Sequence, residues 1–493
     1  MNALLIYPEF PITFWSFKYA LKFVSKKANN PPLGLITIAS LLPESWNLKL
    51  VDMNVSSLTH KDLEWADYLL ISAMSIQRKS VIELLERCKP YRKKIIAGGP
   101  LFTEDPDSFP AVDHLILNEA EITLPEFLED LAGNKAKKIY TSDQYPDIRT
   151  CPVPRFDLLE IKKYQTMSIQ FSRGCPYDCE FCEITQLFGR KVRLKTPEQV
   201  IQELESLRTC NWKGNVFFVD DNFIGNRTLL KKEFLPVLMD WMVKNNRPFT
   251  FLTEASINLA DDPGLMNQMT AAGFNMVFIG IETVEEESLV ECNKHQNKNR
   301  DLLESVRKIQ RNGLQVTGGF IVGFDNDSPS IFQRQIDFIQ KSGIVTAMVG
   351  LLHAPPKTKL FDRLKKENRL INHFTGNNTD DTINFIPKMD RDDLVEGYRK
   401  ILKGIYSCKP YYNRVRYYLK NYKIYKPKVR FLDFAKMKAL IKSLFILGIF
   451  SRGRRQFWKL LAWSLFRTPR KFSLAVTYAI FGYHFRKVYR IRA

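Results

Sequence analysis

The chain has 493 residues, 45% of them apolar, which predicts about three domains with sizeable cores. Its scattered cysteines lack the spacing of a disulfide framework, and its N-terminus (MNALLIYPE) begins as a strand and not as a signal peptide. Both features argue against a disulfide-bonded secreted protein and predict a cytoplasmic one. The net charge of +20 lies in residues 411–493, which hold 21 Lys and Arg and a single acid, Asp433. Such a tail predicts an anionic partner, either membrane headgroups or nucleic acid.

Residues 1–145 alternate short apolar runs with helical patterns. The runs are ALLIYP, LKLVDMN, YLLISAM, KKIIAGGP and HLILNEAE. Buried strands separated by helices predict an α/β domain with a parallel sheet, which binds its ligand beyond the carboxyl ends of the strands. The candidate ligand-binding residues at those ends are Asp52, Asn54, Ser72, Gly98 and Gly99. Residues 146–165, rich in Pro and Asp, are the predicted linker.

Residues 166–370 resume the β-α pattern with six strand-like runs. These lie near SIQFS, NVFFVDDN, FTFLTEAS, MVFIGIET, VTGGFIVGFD and AMVGLLHAPP. Six such units predict a partial or full (β/α) barrel with its chemistry at the carboxyl ends of the strands. Polar residues follow those strands at Asp220, Asp221, Asn222, Glu254, Glu282 and Asp325. Residues 371–493 show no further strand pattern and are predicted to form a basic helical C-terminal domain.

The loop FSRGCPYDCEFCEITQLFGR (171–190), after the first barrel strand, holds Cys175, Cys179 and Cys182. A structural zinc needs a fourth ligand, and no histidine lies near the loop. A catalytic thiol needs a base partner and not two neighbouring thiols. An iron–sulfur cluster normally takes four thiolates, so three would leave one iron open to a substrate or cofactor. The spacing therefore favours an iron–sulfur cluster over the other two sites.

These three cysteines, with Phe181 before the last, resemble the signature of radical S-adenosylmethionine enzymes. The resemblance implies a 4Fe-4S cluster on a partial (β/α)6 barrel, with S-adenosylmethionine on the open iron and cleaved to a 5′-deoxyadenosyl radical. It implies that Phe181 stacks near the adenine. It also implies that the other strand-end motifs hold the cofactor through Asp220, Asp221, Asn222, Glu254, Glu282 and the segment Gly319 to Gly323.

An N-terminal Rossmann-like domain before such a barrel resembles the cobalamin-binding class of these enzymes. Within that class, the segments SIQ (75–77), QFSRGCPYDCEFC, FGRKVRLKTPEQVI, FLTEASINLA and GGFIVGFDND are most similar to the hopanoid methylase group. One departure concerns the cobalamin signature D-x-H-x-x-G, which here has Asn54 in place of histidine and Ser57 in place of glycine. Because Asn is a poor cobalt ligand, any bound cobalamin is expected to lack a histidine ligand from this position. The alternative is a Rossmann-like domain that is retained but has lost its cofactor.

The resemblance implies a methyltransferase that acts on an unactivated carbon of a lipid. It implies that cobalamin delivers the methyl group and that a second S-adenosylmethionine restores it. The expected electron donor is a reductase, a flavodoxin or a ferredoxin. Three alternatives remain: non-methylating radical chemistry such as ring formation or rearrangement, RNA modification, and a cobalamin- or redox-sensing binding protein.

Two apolar segments of the tail, 439–450 and 472–485, are shorter than the roughly 20 residues of a membrane span. Between them, Phe457, Trp458, Trp463 and Phe466 alternate with Arg and Lys, as in interfacial helices. This pattern predicts a cytoplasmic protein in peripheral contact with the inner membrane. The alternatives are a basic cap that packs on the barrel and, least favoured for want of a known motif, a nucleic-acid site.

Overall fold

A computed structural model describes residues 1–372, 374–377, 379–424 and 434–491, with the side chains of 434 and 435 left aside. The first sheet contains β1 (Asn2–Tyr7), β2 (Asn47–Asp52), β3 (Tyr68–Ser72), β4 (Lys94–Gly98), β5 (His114–Ile116) and β6 (Ile139–Tyr140). Its helices are α1 (Lys18–Leu21), α2 (Leu33–Ala39), α3 (His60–Trp65), α4 (Arg78–Cys88), α5 (Pro100–Glu104) and α6 (Ala120–Ala132).

The first sheet is parallel throughout, with the order β2-β1-β3-β4-β5-β6. Separate apolar clusters cover its two faces, which explains why its strands are apolar without alternation. The five strands predicted from sequence are confirmed. The sixth, β6, has only two residues, too few to leave a pattern.

The second sheet follows at β7 (Thr166–Ile169), β10 (Gly214–Phe218), β11 (Phe249–Ala255), β12 (Phe274–Glu282), β13 (Gln315–Val322) and β14 (Ala347–Leu351). A separate antiparallel pair, β8 (Ser172–Arg173) and β9 (Arg193–Leu194), flanks the cysteine loop. The helices are α7 (Ile184–Leu187), α8 (Pro197–Thr209), α9 (Arg227–Leu229), α10 (Leu235–Lys244), α11 (Pro263–Ala272), α12 (Glu286–Glu291), α13 (Leu302–Arg311), α14 (Ile331–Ser342) and α15 (Lys359–Lys366).

The six long strands of this sheet are parallel in the order β14-β13-β12-β11-β10-β7, so each strand pairs with its neighbour in the chain. The sheet ends at β7 and β14 without closing, which confirms the partial barrel. Alternate residues such as Val216, Phe218 and Val277 are buried in the main core. The residues between them, including Phe217 and Phe278, are partly exposed on the opposite, inner face.

The described C-terminal region is helical from Arg391 onwards, with α16 (Arg391–Tyr406), α17 (Cys408–Asn421), α18 (Phe434–Phe445), α19 (Arg454–Arg467) and α20 (Phe472–Val488). Its described residues before Arg391 form turns and bends and an isolated bridge between Leu370 and Phe385, so the helical prediction is wrong for this part of 371–493. A π-helical turn at Ile446–Phe450 extends α18. The Tyr406 hydroxyl donates to the Ala347 carbonyl (2.6 Å), which joins α16 to the edge strand β14. Phe485 of α20 stacks on Phe14 at 4.4 Å between ring centroids, which ties the C-terminus to the N-terminal segment.

Across the described residues, every helix is too short or too polar to cross a bilayer. The domain boundaries 1–145, 146–165, 166–370 and 371–493 remain a prediction, although the two sheets lie on either side of the predicted linker.

Candidate functional site

The cysteine loop begins at Gly174, immediately after β8. Gly174 has a φ of +90°, and a Cβ there would lie 2.8 Å from the Lys191 carbonyl oxygen. Both facts require glycine, since other residues avoid this conformation and this contact. The Cys175 N–H donates to the Gly189 carbonyl (3.3 Å), and the Cys182 N–H to the Cys179 carbonyl (3.1 Å). The backbone therefore fixes the loop that carries the thiols.

The three thiols of this loop lie near one another, with Cys179 buried and Cys175 and Cys182 half-buried. Burial raises the pKa of Cys175, Cys179 and Cys182, and a charge on Cys179 would raise the pKa of the other two further. Among the described residues, no group of three His, Cys, Asp or Glu side chains is arranged to bind a single metal ion. An iron–sulfur cluster does not need that arrangement, because each thiolate binds a different iron. A set of three thiols on one loop fits an iron–sulfur cluster by the chemistry of its donors.

Lys294 is the cation beside these thiols. Its Nζ donates to Glu282 Oε1 at 2.7 Å, and both side chains are nearly buried. Burial alone would lower the Lys294 pKa, but the Glu282 carboxylate and the charges of Cys179 and Cys182 raise it above its ordinary value. Lys294 therefore stays protonated and offsets negative charge at the cysteine loop. Sequence reasoning missed this residue, because a single lysine carries no motif.

Asp220, Asp221 and Asn222 follow strand β10, and the two aspartates contact the start of the cysteine loop. Asp220 accepts hydrogen bonds from the N–H of Phe171 (3.3 Å) and from the N–H of Ser172. Asp221 accepts from the N–H of Gly174 at 2.8 Å. The Asn222 side chain bonds to Ser256, beyond the neighbouring strand β11. These side chains contact the protein backbone and so position the loop, while direct cofactor contact by them remains a prediction.

Glu254 differs from Asp220 and Asp221 because its carboxyl group has no side-chain hydrogen bond to any described residue. It is the second-last residue of β11 and lies near Asp220, Asp221 and Glu282. Burial, reinforced by those three carboxylates, raises the Glu254 pKa to about 8. Burial likewise raises the pKa of Asp220 to about 7 and that of Asp221 to about 6. A cluster of buried acids with high pKa values is typical of a functional site.

Phe181 and the glycine segment meet at the end of β13. The Phe181 ring lies 6.2 Å from that of Phe324, next to Gly323. Gly323 has a φ of +107°, and its N–H donates to Asp327 (2.8 Å). A Cβ on Gly319 would lie 2.8 Å from the Phe278 ring, so this glycine leaves room for an aromatic side chain of the inner face. The structure thus places Phe181 and Gly323 together, with Gly319 deeper in the barrel.

The first sheet contains a second candidate site. Its predicted residues Ser72, Gly98 and Gly99 line one cavity of about 60 Å³ at the carboxyl ends of β3, β4 and β5. A Cβ on Gly98 would lie 2.6 Å from the Ile116 carbonyl oxygen, and Gly99 has a φ of +93°. Both positions therefore require glycine. The cavity is mostly apolar, with Leu35 and Ile38 on its walls, and lies where open α/β sheets bind cofactors.

Asp52, the last residue of β2, and Asn54, in the turn after it, lie apart from this cavity. The Asn54 side-chain oxygen accepts from the Phe10 N–H (2.8 Å), and its amide nitrogen donates to the Pro8 carbonyl (3.1 Å) and to Asp52 (2.7 Å). Asp52 also accepts from the Tyr164 hydroxyl (2.7 Å). The Asn54 amide is therefore committed to the protein on both sides and does not fit the role of a cobalt ligand.

Arg363 of α15 was missed by sequence reasoning. Its guanidinium bonds to Glu180 in the cysteine loop (2.7 Å), to Asp325 after β13 (2.9 Å) and to Glu291 of α12 (3.5 Å). The Leu360 N–H also donates to the Glu180 carbonyl (3.0 Å). Arg363 therefore fastens α15 to the cysteine loop. No local pattern could reveal it, since its partners lie 38 to 183 residues away.

A similar ion-pair network joins the first sheet to the cysteine loop. Arg173, immediately before Gly174, pairs with Glu119 (2.6 Å) and Glu121 (2.7 Å) at the start of α6. Arg193 of β9 pairs with Glu119 as well (2.6 Å). These side chains are almost buried, so the pairs hold the two candidate sites in a fixed relation.

Comparison with known proteins identifies the family. Residues 169–339 match the radical SAM superfamily, and residues 358–493 match a domain of unknown function, DUF4070. The chain is 41% identical to an uncharacterized methyltransferase of Synechocystis sp., covering 98% of this chain and 91% of that protein. It is 34% identical to hopanoid C-2 methylase of Rhodopseudomonas palustris, covering 84% and 79%.

A solved structure shows the same fold. It is OxsB, a cobalamin-dependent S-adenosylmethionine radical enzyme, with aqua-cobalamin and S-adenosylmethionine bound. Its TM-score is 0.64 at 16% identity, over 100% of this chain and 75% of that one. The match to the Synechocystis methyltransferase covers 98% of this chain and so includes both sheets and the C-terminal helices. The chain is a radical S-adenosylmethionine enzyme and belongs to the methyltransferase family that includes hopanoid C-2 methylase.

Proposed function

We propose that the enzyme methylates an unactivated carbon of a polycyclic lipid of the hopanoid class, with cobalamin as methyl carrier. One structural observation carries the choice of an apolar substrate. Partly exposed apolar side chains, among them Phe217, Leu252 and Phe278, line the inner face of the second sheet. Trp15 reaches this face from the N-terminal segment, 5.4 Å from the Phe278 ring. The 34% identity to hopanoid C-2 methylase supports the same substrate class.

The side chains at the two candidate sites indicate which cofactors each site would bind. Cys175, Cys179 and Cys182 would hold a 4Fe-4S cluster, and S-adenosylmethionine would lie between Phe181, Gly323 and the carboxyl groups of Glu254 and Glu282. The cavity at Ser72, Gly98 and Gly99 would receive part of a cobalamin. When bound, these groups supply a carbon-centred radical and a transferable methyl group.

The protein side chains prepare this site. A Glu254 pKa of about 8 keeps that carboxyl protonated at neutral pH, so it can donate a hydrogen bond to a cofactor oxygen. Asp220 and Asp221 hold the backbone of the cysteine loop. The apolar inner face excludes water, which protects a radical from side reactions.

The partners and location are also proposals. A flavodoxin or ferredoxin would supply the electrons, as the family resemblance implies. Peripheral contact with the inner membrane would deliver the lipid, and the basic tail supports that contact. Nucleic acid is a less suitable partner, since the inner face of the second sheet is apolar. The proposed domains are 1–145 for cobalamin, 146–165 as linker, 166–370 as barrel and 371–493 as the helical domain.

The test uses anaerobically reconstituted protein. We expect about four irons per chain, formation of 5′-deoxyadenosine, and transfer of a deuterated methyl group to a hopanoid, measured by mass spectrometry. Cys179→Ala should abolish all three, whereas Cys210→Ala, a thiol outside the loop, should abolish none.

The possible results of this experiment distinguish the proposed function from the other functions considered for this chain. Stoichiometric zinc without iron would refute the cluster, and iron without 5′-deoxyadenosine would favour a sensor. 5′-Deoxyadenosine without any methylated product, in protein that fails to bind hydroxocobalamin, would favour non-methylating chemistry. Methylated RNA in place of lipid would refute the substrate class. Loss of a methylated lipid in a deletion strain would identify the natural substrate.

A further inference from the structure

Helix α18 and its π-helical extension expose a row of apolar side chains. Met437, Ile441, Phe445 and Ile449 recur every fourth residue, so they lie along one side of the helix, and all four are exposed. Phe450 follows at the end of the extension with 79% of its surface exposed. A soluble surface rarely exposes large apolar side chains in a contiguous row. This row therefore marks a contact surface.

Helix α19 adds a second row beside the first. Trp458, Leu465 and Phe466 are exposed, Phe466 at 82%, whereas Phe457 is fully buried. The Trp458 Nε1–H donates to the Gly448 carbonyl at 3.0 Å, so the two rows adjoin at the π-helical extension. We call the combined surface the apolar ridge; its members are Met437, Ile441, Phe445, Ile449, Phe450, Trp458, Leu465 and Phe466.

Exposed cations surround the apolar ridge. They are Lys436, Lys438, Arg452, Arg454, Arg455, Lys459, Arg467 and Arg470. The sequence contains no Asp or Glu after Asp433. In the part of the chain that the structure describes, none of these eight cations forms an ion pair. The ridge therefore combines apolar side chains with a strong positive charge that no acidic side chain of the described residues neutralises.

We propose that the apolar ridge inserts into an anionic membrane surface while the cations around it bind the headgroups. The inference deepens the proposed function, because it identifies the surface through which an enzyme acting on a lipid would dock. Interfacial helices bind by this combination of apolar insertion and charge attraction. A second copy of the chain fits poorly, because it would bring the same positive charge to the contact. RNA would use the cations but not the aliphatic side chains, since bases stack on rings.

The experiment measures cosedimentation of the full-length, cluster-loaded protein with vesicles. Vesicles of equimolar phosphatidylglycerol and phosphatidylcholine should bind it about tenfold more tightly than vesicles of phosphatidylcholine alone. The variant Phe445→Ser/Phe450→Ser/Phe466→Ser should lose the part of binding that survives high salt. The variant Arg452→Ser/Arg454→Ser/Arg455→Ser should lose the salt-sensitive part. The control Ile82→Ser/Val243→Ser changes exposed apolar residues of α4 and α10 and should bind as the parent does.

Three results would overturn the docking proposal. Equal vesicle binding by the parent and the aromatic variant, with unchanged circular dichroism and cluster absorption, would overturn it. Dimerisation that the aromatic variant abolishes would instead make the ridge a contact between copies. Tight RNA binding without vesicle binding would make it a nucleic-acid site. Methyl transfer to a detergent-dispersed lipid tests the proposed function separately: if vesicles bind but no lipid is methylated, the docking surface stands and the proposed function fails.

Discussion

Arg363 offers the sharpest test of how α15 supports the cysteine loop. Its guanidinium, 30% exposed, contacts the nearly buried carboxylates of Glu180, Glu291 and Asp325. Asp325 keeps a second partner in Arg369 (2.6 Å), and Glu291 keeps backbone N–H donors. Glu180 has no other cation among the described residues. Arg363→Met, which preserves much of the side-chain volume, would therefore leave one carboxylate unpaired and two weakened.

The expected loss in the free energy of unfolding depends on how deeply the two partners of each ion pair are buried. Removing one partner of a fully buried ion pair costs about 3–5 kcal/mol. The partial exposure of Arg363 reduces this, so we expect a loss of about 2–3 kcal/mol in the free energy of unfolding. The control is Lys388→Met. Lys388 approaches the same Asp325 at 3.7 Å but is 65% exposed, which predicts a change below about 0.5 kcal/mol.

Two measurements test this prediction. Urea unfolding of the cofactor-free protein, followed by tryptophan fluorescence, gives the difference in stability between the two variants. Absorption of the reconstituted cluster, followed under air, gives the rate of cluster loss, which should increase in Arg363→Met alone because the loop opens more often. If both variants match the parent in both measurements, Arg363 does not fasten α15 to the cysteine loop and our reasoning is wrong.

Three further predictions concern single positions. Gly174→Ala should abolish cluster retention because of its φ of +90° and the 2.8 Å approach to a carbonyl; Gly34→Ala, in α2 with nothing within 4 Å of its Cβ, should retain the cluster and full stability. Asn54→Ala should leave most hydroxocobalamin binding intact while lowering the urea midpoint, because the Asn54 amide bonds to the protein. After reduction of the bound cobalamin to Co(II), electron paramagnetic resonance should show no histidine nitrogen on cobalt; loss of binding in Asn54→Ala would refute this structural role. Glu254, with its pKa raised by burial from 4.5 to about 8, binds its proton more tightly in the native than in the unfolded state, so the cofactor-free protein should lose stability as pH rises from about 4.5 to about 8, with no further loss above that; Glu254→Gln should flatten that loss, and an unchanged pH profile would show that the Glu254 pKa is not raised.

The sequence by itself determined the two sheets and the cysteine site. Eleven strands could be predicted because each is a run of apolar residues between helical patterns, and the resulting sheets are buried on one or both faces. The cysteine loop could be predicted because all three thiols lie within eight residues, so their spacing is a local property of the chain. The glycines of the first sheet were also identified, since strand ends are visible from the runs.

Only the tertiary structure decided which side chains are free to act. Asn54 matched a cofactor position, yet contacts with Pro8 and Phe10, more than 40 residues away, commit its amide to the protein. Arg363 and Lys294 meet the cysteine loop only through folding. Phe457 and Phe466 have similar basic surroundings in the sequence, but the first is buried and the second is 82% exposed. Exposure depends on which helix face meets the core, and that is fixed by distant residues that a local pattern cannot contain.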